Sequence, residues 1–216
     1  MLLIFLLKEK KTPVSSLGKG NFFSFFKYWK IASPEYKKLI TGLLAFALFN
    51  SSDVFLLLIT KEVTGSDTVT IAAYIFYNLV YAAASYPFGS LADKFGIKKV
   101  FTSGLLLFAV VYAGFAFHPS AVIIFILFFI YGVYAAATEG ISKAWITNIS
   151  HQTDTATAVG FYTSCQSICS LVASVAAGFI WMNFGSSATF TVTASVAILV
   201  VFYFILSFRN SKKNIL

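Results

Sequence analysis

Apolar residues along the chain fall into long unbroken runs rather than into a two-residue or amphipathic alternation, and short polar or turn-forming stretches separate the runs. Six runs stand out, roughly 39–61, 70–91, 99–117, 121–142, 157–182 and 187–207. Each is near the length of about 20 residues that a helix rising about 1.5 Å per residue needs to cross hydrocarbon about 30 Å thick. The breaks carry turn chemistry: Gly65-Ser66-Asp67, Asp93 to Lys99, His118-Pro119-Ser120, Thr147 to Thr155 and Asn183 to Ser187. This pattern predicts an all-α integral membrane protein of six transmembrane helices.

Composition strengthens that reading. The chain has 216 residues, of which 58% are hydrophobic and 11% charged, against about 45–50% and about 25% in soluble domains. Fifteen of the sixteen Lys and Arg residues lie before the first run, in alternate breaks, or after the last run, and only Lys61 falls on the opposite side. The positive-inside rule therefore places both termini in the cytoplasm of a cell-membrane protein. The net charge of +8 does not point to nucleic acid, because the lysines sit between apolar runs and Arg209 is the single arginine. Cys165 and Cys169 lie inside one apolar run, and His118 and His151 in different breaks. Neither a disulfide framework nor a metal site follows from that pattern. No Walker loop, H-E-x-x-H or nucleophile elbow is present, so the reading is of a protein that is not an enzyme and needs no cofactor.

Four segments follow along the chain. Residues 1–7 are apolar but too short to span, and read as the remnant of a preceding transmembrane helix. Residues 8–38 form a basic cytoplasmic loop, 39–207 the six-helix unit, and 208–216 a cytoplasmic tail. The aromatic stretch around Phe22 to Trp29 reads as loop lying against headgroups, with a lipid-sensing amphipathic helix as the sharper alternative.

The most specific motif is Gly89-Ser90-Leu91-Ala92-Asp93-Lys94-Phe95-Gly96-Ile97-Lys98-Lys99. It resembles the signature loop of the major facilitator superfamily at every defined position, including Gly89, Asp93, Lys94, Gly96, Lys98 and Lys99. It also sits where that loop sits, between the second and third helices of a six-helix half. The resemblance implies a solute transporter half built of two inverted three-helix repeats, in which this loop staples helices on the cytoplasmic side and breaks as the transporter rocks. The basic leader and helix remnant favour the C-terminal half; a first half is the alternative. The implied partners are the bilayer, a small-molecule solute and a first-half bundle. A truncated half acting only as a membrane scaffold is the competing function. Within the chain, Gly89 to Phe95-Gly96 is echoed at the same spacing by Gly178 to Phe184-Gly185, as an inverted repeat requires.

Buried polar groups supply the candidate site. Asp53 lies near the centre of the first run with Asn50 one turn away, and an ionisable group at that depth is a functional candidate by default, here for substrate or proton coupling. Tyr74, Asn78 and Tyr81 on the second run, and Tyr131 and Tyr134 on the fourth, form stripes suited equally to a cavity wall and to interhelical packing. Glu139 and Lys143, at i and i+4, make either a local pair or, with Asp93, an inner latch. The third and sixth runs carry no internal charge and are expected to be the outer, lipid-facing helices.

Overall fold

A computed structural model describes residues 24–208 and their side chains from Tyr28 onward. The apolar 1–7 segment, the leader up to residue 23 and the tail beyond Phe208, with Arg209, Lys212 and Lys213, lie outside the described residues. Seven helices follow in order: α1 (Ser24–Ile31), α2 (Pro34–Ala47), α3 (Val54–Thr64), α4 (Asp67–Phe95), α5 (Ile97–Ala116), α6 (Ala121–Ile149) and α7 (Thr155–Ser207). No strand occurs among the described residues. Four of the helices, α4 to α7, are long and apolar enough to cross a membrane.

The leader is not all loop. Its end folds as α1, whose Trp29 stacks on Phe161 of α7 and whose Tyr28 meets Tyr36 edge to face. Ser33 then caps α2, its hydroxyl accepting from the Tyr36 N–H at 3.2 Å, and Pro34 opens the first turn, where its missing N–H costs nothing.

The first run departs from expectation. Instead of one helix over 39–61, α2 ends at Ala47 and α3 begins at Val54. The intervening Asn50-Ser51-Ser52-Asp53 combines four residues whose short polar side chains compete for backbone hydrogen bonds and so weaken a helix. The Ser52 hydroxyl accepts from Val54 N–H at 3.4 Å, and the Ser52 N–H donates to Ser174 Oγ at 3.2 Å. The break is thus held by side chains that replace helical hydrogen bonds.

The signature segment also differs from a loop. α4 continues through Asp93 to Phe95, and Gly96 alone separates it from α5. With φ at 96°, Gly96 occupies backbone space that a side chain would disfavour, so it is the pivot of the joint. Gly185 plays the same part in α7, with φ at 85°. The two arms of α7 run back along each other: the Tyr36 hydroxyl donates to Ala158 O in the first arm, and the Tyr203 hydroxyl of the second donates to Lys38 O. Both ends of α7 therefore meet the start of α2.

α5 packs one face into the bundle. Phe101, Leu105, Phe108, Tyr112 and Phe115 are buried, packed against α6 and α7. In its most apolar stretch α5 is 56% buried, and α4 only 11%. Lack of charge in the third run does not exclude a packed face, because the interior of a membrane bundle is as apolar as its lipid face; the other face of α5, with Leu106 and Val110, is exposed. Backbones approach most closely where α4 crosses α6. A Cβ on Gly132 would lie 2.7 Å from Tyr77 O and 2.8 Å from Val80 Cβ, and this absence of a side chain brings Tyr77 and Tyr131 side by side.

Candidate functional site

The broken first run, α4 and α6 converge on one carboxylate. Asp53 stands at the start of α3, where the positive end of the helix dipole favours an anion by about 0.3–1 kcal/mol. Its Oδ2 accepts from the Tyr77 hydroxyl at 2.8 Å, and its Oδ1 accepts a short hydrogen bond from the Tyr131 hydroxyl. Hydrogen bonds to a charged group contribute about 1.5–3 kcal/mol each. Half-buried Asp53 is thereby fixed to two separate helices.

Asn50 does not share a helical face with Asp53, because the chain leaves α2 between them. It turns toward α6, where its Nδ2 donates to the Tyr134 hydroxyl at 3.4 Å. Asn50 Oδ1 is buried at the break without a hydrogen-bond partner among the described residues, while the buried Tyr112 hydroxyl interacts with Ser51 and Tyr131. A buried atom left unpaired costs about 1–3 kcal/mol, a cost placed where the helix opens.

Two recesses meet at Asn50. One, of about 530 Å³, is lined by the break from Asn50 to Asp53 together with Tyr74 and Ser170. The other, of about 260 Å³, is lined by Asn50, Tyr134, Glu139, Lys143, Tyr162 and Gln166 among others. Asn50 is common to both, so it stands between the carboxylate recess and the charged one.

The predicted tyrosine stripes divide by role. Tyr131 and Tyr134 are buried and bond Asp53 and Asn50, respectively. Tyr74 is exposed at the first recess and meets Tyr77 edge to face. Asn78 donates back to Tyr74 O within its own helix at 2.8 Å, and Tyr81 reaches across to Glu139 Oε2 at 3.0 Å.

The inner-latch residues are not joined in this conformation. Lys61 with Asp67, at 2.8 Å, is the only ion pair among the described residues. Glu139 takes Tyr81 rather than Lys143, and both line the smaller recess, whereas Asp93 lines a different one beside Gly89 and Gly140. Asp93 is exposed inside α4 and caps nothing, Lys94 lies over the Phe95 ring at 5.5 Å, and Lys98 Nζ lies 3.5 Å from Ile205 O. Lys99 is exposed in the first turn of α5. Gly89 has open space around it, so close helix approach does not explain it; Gly96 is the glycine that geometry requires.

Sequence reasoning missed the break itself, and with it the parts of Tyr77 and Tyr112. The signal was available in the four consecutive helix-weak residues Asn50 to Asp53. The pairing of Ser52 with Ser174, 122 residues away, had no local signature.

Long apolar helices enclosing an opened helix, a tyrosine-held carboxylate and two polar recesses define a multi-pass membrane protein with a polar centre. A sequence model of the Major Facilitator Superfamily matches residues 3–215. The chain is 34% identical, over 184 residues, to an uncharacterized MFS-type transporter of Methanocaldococcus jannaschii; the match covers 82% of this chain and 45% of the relative. The chain belongs to the Major Facilitator Superfamily, and it spans about half the length of the curated relative it matches.

Proposed function

We propose that the chain is a six-helix half of a transporter that moves a small solute across the cell membrane by alternating access, with Asp53 as the group that takes substrate or proton. The observation that carries the proposal is the convergence of Tyr77 and Tyr131 on Asp53 at an opened helix. A membrane-buried carboxylate is costly, and it is retained where it lines a pathway. Discontinuous helices near the bilayer midplane commonly build the ion and substrate sites of secondary transporters.

Six passes arise if α2 and α3 together make the first, α4, α5 and α6 the next three, and the two arms of α7 the last two. The matched glycine joints at Gly96 and Gly185 fit two inverted three-helix repeats. The lysine distribution supports cytoplasmic termini. The sparsely buried α4 supplies a face for a first-half bundle, whether part of the same polypeptide or separate. Proton coupling would use protonation of Asp53 to bias which side is open. The segment Gly89 to Lys99 would act as the inner latch, with Gly96 as its pivot and Asp93 poised to engage the opposing bundle. The competing reading, a non-transporting scaffold, gives no reason for a tyrosine-held carboxylate lining a recess at an opened helix.

The test uses the full chain reconstituted with the remaining half of the archaeal relative. A single cysteine at position 170, on the wall of the Asp53 recess, introduced as S170C with Cys165 and Cys169 replaced by serine, is labelled with a membrane-impermeant maleimide from each side in turn. Labelling from both sides, with the balance shifted by D53N, is the expected result. Labelling from one side only, unaffected by D53N, would refute alternating access.

A further inference from the structure

We infer that the smaller recess selects a zwitterion, a solute carrying an ammonium and a carboxylate a few bonds apart, with Glu139 taking the ammonium and Lys143 the carboxylate. This rests on the transport reading, with Asp53 as the proton group, and names the substrate class of the recess that adjoins Asp53's own at Asn50.

Glu139 and Lys143 stand one turn apart on α6 and both line the recess. Residues at that spacing have Cβ atoms about 5–6 Å apart, so a ligand with its two charges on neighbouring carbons can touch both side chains. The two charges are not spent on each other, since no ion pair joins them. The Glu139 carboxylate accepts only from the neutral Tyr81 hydroxyl, through one of its oxygens, and the Lys143 ammonium has no partner among the described residues. Both side chains are exposed in this conformation, and withdrawing either charge from water as the cavity occludes costs free energy that an opposite charge offsets. A cation alone would leave Lys143 uncompensated, and an anion alone would leave Glu139 so; a zwitterion answers both.

The rest of the lining agrees. An ammonium brings three donors, and the Glu139 carboxylate keeps one oxygen free of any partner among the described residues to receive them. Gln166 adds an amide able to donate to a carboxylate, while Leu43 and Phe46 offer an apolar wall for a side chain. The volume, about 260 Å³, falls just below the range of about 300–1,000 Å³ usual for drug-sized ligands, which fits a metabolite the size of an amino acid.

The experiment measures equilibrium binding to the full chain in detergent, with monodisperse elution as the control for folding. Glycine, L-leucine and L-phenylalanine are compared with their amides, which lack the carboxylate, and their N-acetyl forms, which lack the ammonium. At least one free amino acid is expected to bind, with both blocked forms at least tenfold weaker. E139Q should abolish the discrimination against the N-acetyl form and K143M that against the amide. The inference is overturned if a blocked form binds as well as its parent, if no member of the panel binds, or if both variants keep wild-type selectivity. Zwitterion binding without two-sided access would sink the transport reading alone; two-sided access with a singly charged preference would sink this one alone.

Discussion

The hydroxyl of Tyr77, in the middle of α4, donates to Asp53 Oδ2 at 2.8 Å, across the gap where the preceding helix is interrupted. The second oxygen of the same carboxylate is taken by Tyr131 from α6. A shift of α4 against α6 must therefore change the hydrogen bonding of Asp53, and a change in the charge of Asp53 must alter how the two helices are held. That mutual dependence is what coupling requires.

Replacing either tyrosine by phenylalanine removes one bond to a charged acceptor. Tyr77→Phe and Tyr131→Phe should each lower stability by about 1.5–3 kcal/mol. In a D53N background the loss should fall to about 0.5–1.5 kcal/mol, the range for neutral bonds. Double-mutant cycles from denaturant titration of the purified chain measure the difference, and additive losses would show that the bonds do not act through the carboxylate charge.

Gly132 of α6 and Gly89 of α4 should behave oppositely. Gly132→Ala forces a methyl against Tyr77 O, a backbone atom that cannot rotate away, and should cost about 1–3 kcal/mol while displacing Tyr77 from Asp53. Gly89→Ala enters open space within a helix and should leave stability unchanged or raise it by up to about 1 kcal/mol. Thermal unfolding of the pair distinguishes them.

Gly96 and Gly185 are pivots rather than packing sites. No neighbour lies within 4 Å of a Cβ at either position, yet both have φ between 85° and 96°. Alanine at either should cost about 1–2 kcal/mol through backbone strain alone. Unfolding titration should show the loss, and a second substitution in a neighbouring helix should not recover it.

Asp93 makes no ion pair among the described residues, so Asp93→Asn should leave the melting temperature of the chain unchanged. If the segment is a latch against an opposing bundle, the same substitution should shift the two-sided labelling of S170C in the reconstituted assembly. Unchanged labelling would remove Asp93 from the latch.

Sequence alone determined most of the helices. Runs of about 20 apolar residues admit little besides a membrane helix, and α4, α5 and α6 begin within about three residues of where the runs placed them. Family membership was equally legible, because Gly89 to Lys99 keeps residue type and spacing together. Asp53 and Asn50 were visible as candidates, since a polar group at membrane depth stands out against the apolar background whatever it touches. Tertiary structure decided what those groups do. Whether a helix continues through Asn50 to Asp53 depends on Ser174 and on hydroxyls from two other helices, partners 24 to 122 residues away. Which helix lies inside was likewise unreadable, because hydrocarbon outside and apolar side chains inside present the same chemistry to a residue, and only packing distinguishes them.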